Sequence, residues 1–356
     1  MHFCQLFGIP LYVPSQKMYN ECMKIAFFEI EGWEEKQIKA ALPKYELSLF
    51  KERLTADMIP EKRGFDVISI FVDSRIDGEV LNYFSDLRFI ATRSTGYDHV
   101  NVKVCKDRGV TVAYVPGYGD NTVAEFAFGL ILNLTRKLYQ GIDQMKERES
   151  FVLDGLRGMD LKGKIIGVVG TGRIGREVIK IAKGFGMQVV ASDVFPDETC
   201  AKELEFTYVP FEKLLGLADV ISFHCPLTEK TTHLLNKKNI KFIKKGAYLV
   251  NTARGAIVET EALIQALQDK TLAGAALDVL EEEGKIKDEL KFLSKERTRE
   301  GEMKIVLQDH VLIRMPNVLV TPHNAFNSQE ALERILDTTL ENIKAFTEKK
   351  EKNLVP

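Results

Sequence analysis

The stretch that decides the fold is KIIGVVGTGRIGREVIKIAKGFGMQVVASD, residues 164–193. Its pattern predicts a strand at 165–169, a glycine-rich turn, a helix from about residue 173 to 185, and a second strand at 188–192. The first strand is almost entirely apolar, which is typical of a strand buried on both faces of a parallel sheet. The stretch therefore predicts one complete βαβ unit.

The glycines of the turn, Gly170, Gly172 and Gly175, follow the pattern G-x-G-x-x-G. In this pattern the first glycine makes a tight turn, the second lets the backbone approach a pyrophosphate, and the third lets the helix pack on the strand. The free N–H groups and positive dipole end of the helix then face the phosphates. We interpret the stretch as a dinucleotide-binding unit, against the alternative of a glycine-rich turn in an ordinary βαβ unit.

Asp193 ends the second strand and follows Gly175 by 18 residues. A carboxylate there accepts hydrogen bonds from the ribose hydroxyls and repels the 2′-phosphate of NADP. Its neighbours Val194 and Phe195 offer no guanidinium to that phosphate. The sequence therefore predicts NAD as the cofactor.

The chain has 356 residues, 45% hydrophobic and 28% charged, which is long enough for two globular domains. A net charge of −2 gives no bulk reason to expect nucleic acid or an acidic membrane as a partner. The five cysteines are scattered, which favours reduced thiols and no metal site, and no apolar run is long enough to span a bilayer. We expect a cytoplasmic protein whose first 22 residues are an extension without signal-peptide features.

Apolar strand patterns alternate with helical ones along most of the chain, which predicts α/β architecture. Strands at 24–30, 46–50, 66–72, 88–92 and 110–113 form a first doubly wound unit that has no glycine motif. A long apolar helical stretch at 121–145 follows, suited either to a core or to an oligomer interface. Further strands at 220–224, 247–251, 274–278 and 318–321 extend the dinucleotide unit. A helix at 329–345 ends the pattern, and the charged run 281–302 is expected to be a solvated loop and helix face.

Three groups of polar residues follow strands of the dinucleotide unit, at the edge where such sheets bind ligands. Arg254 lies in NTARG (251–255) and is suited to gripping a carboxylate, the alternative being a surface arginine. The acids of DVLEEE (278–283) are suited to orienting a histidine, the alternative being a solvated acidic loop. His323 in TPHN (321–324) is the best general acid–base candidate of the six histidines, although a histidine in a turn is more often structural.

With these motifs, the chain resembles the D-2-hydroxyacid dehydrogenase family, and within it the D-lactate dehydrogenase-like branch. The resemblance runs from about residue 24 to 346 and implies a catalytic set of Arg254, Glu283 and His323, with Glu283 as the second acid of the E-x-E pattern. It also implies that the backbone N–H groups of Thr95 and Gly96 bind the substrate carboxylate. Further substrate contacts implied are Tyr118, Arg254 and Phe326.

The resemblance implies a set of cofactor contacts at the strand ends and the glycine turn: Gly170, Gly172, Arg173, Ile174, Gly175, Asp193, His224, Pro226, Thr252 and Asp278. It implies a flavodoxin-like substrate-binding domain at 1–120 and 326–356, a Rossmann NAD-binding domain at 121–325, and a cleft between them. It further implies a homodimer that uses the helix at 121–137, and no metal.

The activity implied is NAD-dependent interconversion of a 2-keto acid and a D-2-hydroxy acid, with D-lactate dehydrogenase as the first expectation. Asp73 stands where relatives of the branch often place a tyrosine beside the substrate, Leu280 where an aromatic is usual, and Phe126 where a histidine is common. The change at Asp73 leaves the substrate open, with a glyoxylate/hydroxypyruvate or phosphoglycerate-type reductase as the alternative within the enzyme class. We expect no added regulatory domain, since the sequence ends at Pro356. An NADH-sensing corepressor-like scaffold on the same fold is the alternative from a different class.

Overall fold

The computed structural model describes residues 23–281, 283 and 300–356. These residues form two compact units: one ends at Pro116 and resumes over Ile335–Pro356, and the other covers Gly117–Arg334. The expected N-terminal extension and most of the charged run at 281–302 lie outside the described residues. No helix in the described part of the chain is both long and apolar enough to cross a membrane.

Both units are built from parallel strands and from helices that connect or cover them. The strands are β1 (Lys24–Phe27), β2 (Glu46–Leu49), β3 (Val67–Ile70), β4 (Phe89–Thr92), β5 (Thr111–Ala113), β6 (Ile165–Val169), β7 (Gln188–Ser192), β8 (Thr207–Tyr208), β9 (Val220–Phe223), β10 (Ala247–Asn251), β11 (Leu272–Leu277) and β12 (Val318–Val320). The α-helices are α1 (Gly32–Ala41), α2 (Gly78–Leu81), α3 (Val102–Asp107), α4 (Asp120–Arg136), α5 (Leu138–Arg148), α6 (Arg173–Gly184), α7 (Glu198–Glu203), α8 (Phe211–Leu217), α9 (Thr260–Gln268), α10 (Glu300–Arg314) and α11 (Gln329–Thr347). Every strand expected from the sequence is present, and the two-residue β8 is the one that the apolar patterns did not indicate.

The first unit contains a five-stranded sheet in the order β2-β1-β3-β4-β5. Its central strands are buried on both faces, which explains their continuous apolar runs. Residues of α1 and α11 cover one face, and residues of α2 and α3 cover the other. The unit is doubly wound, as the sequence predicts.

The second unit contains a seven-stranded sheet in the order β12-β11-β10-β9-β6-β7-β8. The chain proceeds outward from β6 through β7 to β8 and then returns to β9 on the other side of β6, which makes a topological switch point there. Ligands of open α/β sheets bind at the carboxyl ends of the strands that flank such a point. Separate apolar clusters fill the two faces of this sheet. This is the predicted Rossmann architecture.

The helical stretch expected at 121–145 is present, but it is divided into two helices. Lys137 has a φ of 55° and separates α4 from α5. Its N–H donates to the carbonyl of Asn133, so α4 ends in a left-handed cap. The apolar face of α4, including Ala127, Ile131 and Leu134, lies in the core of the second unit. Of the two alternatives that the sequence left open, a core or an oligomer interface, the structure shows that this face packs in the core.

Candidate active site

The glycine turn between β6 and α6 is shaped by two close backbone approaches. Gly170 has a φ of +94°, and a Cβ on it would lie 2.7–2.9 Å from the backbone of His224 and Cys225. A Cβ on Gly175 would lie 2.0 Å from the carbonyl oxygen of Gly170. Because the obstacles are backbone atoms, neither position tolerates a side chain without moving a strand end.

Gly172 differs from the other two glycines because a Cβ there would meet no protein atom within 4 Å. Packing inside the protein therefore gives no reason for glycine at the start of α6. A pyrophosphate approaching the N-terminus of this helix does give one, since it needs the backbone uncovered. The turn fits the phosphates of a dinucleotide.

Asp193, at the end of β7, is held against this turn. One carboxylate oxygen accepts hydrogen bonds from the Thr171 N–H at 2.6 Å and from the Thr171 Oγ1 at 3.0 Å. The other oxygen accepts the N–H of Phe195 at 2.9 Å. Tyr208 reaches the same hydroxyl of Thr171 at 2.7 Å. The acid is thus fixed beside the turn, where the sequence places it for the ribose.

Thr252 follows β10 and is buried, and its Oγ1 has no hydrogen-bond partner among the described residues. A buried hydroxyl without a partner costs free energy unless a ligand or water supplies one. The residue lies at the carboxyl edge of the sheet, as do His224 and Pro226 after β9. An uncommitted polar atom in this position fits a cofactor that offers hydrogen-bonding groups.

His224 is neutral over the ordinary pH range, because burial lowers its pKa from 6.5 to about 3. Its Nε2 lies 2.7 Å from the Oγ of Ser222 on β9. The side chain therefore contributes a neutral imidazole and no positive charge after β9.

His323 and Glu283 are brought together by the fold. The Nδ1 of His323 lies 2.8 Å from the Oε1 of Glu283, and the two side chains are 27% and 33% exposed. A carboxylate can only accept here, so the Nδ1 carries the proton and the Nε2 is left for chemistry. The ring of Phe326 meets the imidazole edge to face, with centroids 6.4 Å apart.

The turn that carries His323 is fastened by Asp278, a fully buried residue at the end of β11. Its carboxylate accepts hydrogen bonds from the hydroxyl of Thr321 and from the N–H groups of Asn324 and Ala325, the last two at 2.8 Å. The backbone carbonyl of Asp278 accepts the N–H of His323 at 2.9 Å. Burial raises the pKa of the Asp278 carboxyl, and these hydrogen bonds oppose that shift. Asp278 thus fixes the backbone of His323, which itself has a φ of +53°.

Arg254 lies in the loop after β10, directly before a short 3-10 helix at Gly255–Ile257. The side chain of Asn251 ties the loop together by donating to the Arg254 carbonyl and accepting the Ala253 N–H. A Cβ on Gly255 would lie 2.1 Å from the carbonyl carbon and oxygen of Leu280. This contact brings the loop after β10 against the loop after β11.

Sheet order places the three expected catalytic residues on consecutive loops. Arg254 follows β10, Glu283 follows β11 and His323 follows β12, and these strands are neighbours in the sheet. Since parallel strands end at one edge, the three loops share that edge. The nearby Tyr118 is buried enough to raise its pKa to about 12, against the opposing charge of Arg254.

A second histidine–glutamate pair was not expected from the sequence. The Nε2 of His233 lies 2.6 Å from the Oε1 of Glu281, whose other oxygen accepts the hydroxyl of Thr260 at 2.8 Å. Glu281 and Glu283 therefore contact different histidines. Glu282, between them, lies outside the described residues. Thr171 is another residue that sequence reasoning missed; the signal was a hydroxyl inside G-T-G next to a strand that ends in an acid.

Three more expected residues have contacts of their own. Arg173 begins α6 and pairs through its Nε with Asp120 at 2.7 Å. Thr95 and Gly96 lie in the first unit, in the loop after β4, where the Thr95 hydroxyl donates to the carbonyl of Val115 at 2.6 Å. Within the described part of the chain, the N–H groups of Thr95 and Gly96 donate to no protein acceptor. Two uncommitted backbone donors in sequence suit a carboxylate ligand.

Comparison with known proteins shows the family of this chain. Residues 128–325 match the family model described as "D-isomer specific 2-hydroxyacid dehydrogenase, NAD binding domain". The 2-hydroxyacid dehydrogenase A of Aspergillus oryzae is 40% identical over 338 residues, covering 92% of this chain and 93% of that protein. An aromatic 2-oxoacid reductase of Clostridium sporogenes is 35% identical, covering 82% and 88% of the two chains.

Among solved structures, the D-lactate dehydrogenase of Aquifex aeolicus complexed with NAD and lactic acid matches with a TM-score of 0.82 and 33% identity. The match covers 93% of this chain and 98% of that one. The chain belongs to the D-isomer-specific 2-hydroxyacid dehydrogenase family, in its D-lactate dehydrogenase-like branch, and NAD is its cofactor.

Proposed function

We propose that this protein reduces a 2-oxo acid to the D-2-hydroxy acid, as a D-lactate dehydrogenase-like enzyme, and catalyses the reverse oxidation. The observation that carries the proposal is the pairing of His323 with Glu283 at 2.8 Å, on loops adjacent to that of Arg254. A histidine that carries its proton on Nδ1 and is oriented by a carboxylate is suited to proton exchange at Nε2.

In the reduction, bound NADH supplies the hydride that C2 of the 2-oxo acid receives. The guanidinium of Arg254 binds the carboxylate and polarises the keto oxygen. His323 donates the Nε2 proton to that oxygen as negative charge develops on it, which yields the hydroxyl of the product. Glu283 accepts the Nδ1–H hydrogen bond throughout and keeps the imidazole oriented for the transfer.

We propose that the glycine turn, Asp193 and Thr252 bind the cofactor. The backbone N–H groups of Thr95 and Gly96 are proposed to donate to the substrate carboxylate, and Tyr118 and Phe326 to line the substrate pocket. The uncommitted N–H groups of the loop after β4 support the assignment of Thr95 and Gly96.

The test is NADH oxidation against a panel of 2-oxo acids that includes pyruvate, phenylpyruvate, 4-methyl-2-oxopentanoate, glyoxylate and hydroxypyruvate, with chiral analysis of the product. Turnover of at least one acid to the D product supports the proposal. His323→Ala is expected to lower kcat by about 10²–10⁴-fold while NADH binding, followed by fluorescence, stays nearly the same. Wild-type turnover in His323→Ala contradicts the assignment.

The panel also separates the competing functions. Preference for pyruvate supports the D-lactate dehydrogenase activity, and preference for phenylpyruvate supports an aromatic 2-oxoacid reductase such as the Clostridium sporogenes relative. Preference for glyoxylate or hydroxypyruvate supports the corresponding reductase. Tight NADH binding without turnover of any acid supports the corepressor-like scaffold and refutes the enzyme.

We also propose that the protein is a homodimer. Since α4 buries its apolar face in its own unit, we assign the interface instead to a group of exposed apolar side chains on α5 and the segment after it: Leu138, Tyr139, Ile142, Phe151 and Leu153, the last two being 87% and 80% exposed. Exposed apolar groups in this number mark an interaction surface. Light scattering at micromolar concentration should give a dimer, and Ile142→Glu should weaken it.

A further inference from the structure

A chain of three hydrogen bonds connects His99 to the loop after β4. The Nε2 of His99 lies 3.0 Å from the Oγ1 of Thr92, and this Oγ1 lies 2.7 Å from the Oγ of Ser94. The Ser94 hydroxyl in turn lies 2.6 Å from the carbonyl oxygen of Gly96. The side chains of Thr92 and Ser94 are buried, so these bonds are formed away from water.

The last acceptor fixes the direction of the whole chain. A carbonyl can only accept, so the Ser94 hydroxyl donates its single proton to Gly96. The Ser94 oxygen must then accept from Thr92, whose own oxygen is left to accept from His99. His99 therefore carries a proton on Nε2. All three donors point toward Gly96, and hydrogen bonds aligned in this way strengthen one another.

Arg93, directly after β4, makes a separate set of hydrogen bonds that holds the start of this loop. Arg93 is 1% exposed, and its guanidinium donates to the carbonyls of Phe28 at 2.9 Å and Glu29 at 2.6 Å, just beyond β1. The carboxylate of Glu29 accepts the N–H groups of Phe71 and Asp73, in the loop after β3. The hydrogen bonds of Arg93 and Glu29 thus connect the ends of β1, β3 and β4.

Beyond Arg93, Gly96 is the residue of the loop with the most backbone freedom. Ser94 is held through its carbonyl by the N–H of Val115 at 3.0 Å, and Thr95 through its hydroxyl by the Val115 carbonyl. The hydrogen-bond chain from His99 supplies the corresponding restraint on Gly96. Without it, the Gly96 carbonyl accepts no hydrogen bond from the described residues.

We propose that Thr92, Ser94 and His99 are positioning residues for substrate binding: their hydrogen-bond chain orients the backbone of Gly96 so that the N–H groups of Thr95 and Gly96 converge on the substrate carboxylate. The inference rests on the proposed function, because that function assigns these N–H groups to the carboxylate. It predicts an effect on 2-oxo acid binding and none on NADH binding.

The experiment compares Thr92→Val and Ser94→Ala with the unmodified protein. Loss of one intramolecular hydrogen bond corresponds to about a five-fold change in an equilibrium, so the KM for the 2-oxo acid should rise about five-fold or more. The Kd for NADH should stay the same. In the Ser94→Ala background, Thr92→Val should add little, since the chain is already cut. Thr92→Ser keeps the hydroxyl and should restore most of the wild-type KM.

The matched control is Thr339→Val, the same change at another fully buried threonine of the first unit. The Thr339 hydroxyl donates to the carbonyl of Ile335 within α11, so it takes no part in the hydrogen-bond chain of the loop after β4. This variant should keep the wild-type KM. Equal KM values in Thr92→Val and Thr339→Val, or independent and additive effects of Thr92→Val and Ser94→Ala, overturn the proposal.

Amide hydrogen exchange separates this proposal from the proposed function, because it needs no substrate. Exchange at residues 95–97 should be faster in Thr92→Val and Ser94→Ala than in Thr339→Val. If no 2-oxo acid is reduced, the proposed function fails, while faster exchange still supports the hydrogen-bond chain. Unchanged exchange in both loop variants overturns the chain whatever the activity, and faster exchange with an unchanged KM overturns its role in substrate binding.

Discussion

Gly255 gives the sharpest prediction, because a single methyl group there has no space. The Cβ of Gly255→Ala would lie 2.1 Å from the carbonyl carbon and oxygen of Leu280 and 2.5 Å from the Glu281 nitrogen. An ordinary contact begins at 3.4 Å, so the two loops must separate by about 1.3 Å. All the obstructing atoms are backbone, so no side-chain rotation relieves the clash.

The displacement should affect activity more than stability. One loop carries Arg254 and the other leads to Glu283, so their separation misplaces the carboxylate-binding group relative to the pair formed by Glu283 and His323. Misplacement of about 1 Å lowers a reaction rate by about 100-fold, and overpacking of this kind destabilises the fold by about 1–3 kcal/mol. We expect kcat/KM for the 2-oxo acid to fall about 100-fold in a protein that still folds.

The assay is steady-state reduction with NADH, together with urea unfolding and NADH fluorescence titration. The control is Gly184→Ala at the end of α6 in the same unit, where a Cβ meets no atom within 4 Å. That variant should match the wild type in all three measurements. If Gly255→Ala keeps the kcat/KM of Gly184→Ala, the close approach of the two loops does not set the geometry of the site.

Three further predictions concern the same sheet edge. Asp278→Asn should lower the free energy of unfolding by about 1.5–3 kcal/mol and reduce kcat, because an amide cannot accept all three hydrogen bonds of the buried carboxylate; unchanged urea unfolding would count against this. Asp193→Ala should raise the Kd for NADH about ten-fold and reduce the ratio by which the protein binds NADH more tightly than NADPH, both measured by fluorescence titration. An unchanged ratio contradicts the assignment of Asp193 to the ribose. His224 has a pKa of about 3 in the folded protein against 6.5 ordinarily, so below pH 6.5 the unfolded chain binds a proton that the folded protein does not. The free energy of unfolding, measured with urea, should therefore fall as the pH drops from 6.5 to 5. The fall should be up to about 2 kcal/mol larger in the unmodified protein than in His224→Gln. An equal fall in the two proteins contradicts the prediction.

The sequence was sufficient for the strands, the two α/β units and the cofactor. Continuous apolar runs predict strands buried in parallel sheets, and Gly170, Gly172 and Asp193 have fixed spacing within one βαβ unit. These features are local, so they are readable along the chain. The helix at 121–145 shows the limit of such patterns: its apolar periodicity gave no sign that Lys137 takes a left-handed conformation and divides it.

The pairing of the histidines required the tertiary structure. Glu281 and Glu283 are chemically identical and two residues apart, yet one meets His233 and the other meets His323. The same holds for the buried carboxylate of Asp278, whose hydrogen bonds fasten the turn of a histidine more than forty residues away. The sequence thus determined which residue types stand at the strand ends, and the three-dimensional packing of the loops after β10, β11 and β12 decided which of them touch. The physical reason is that secondary structure follows from local periodicity, whereas these contacts depend on distances between segments that are remote along the chain.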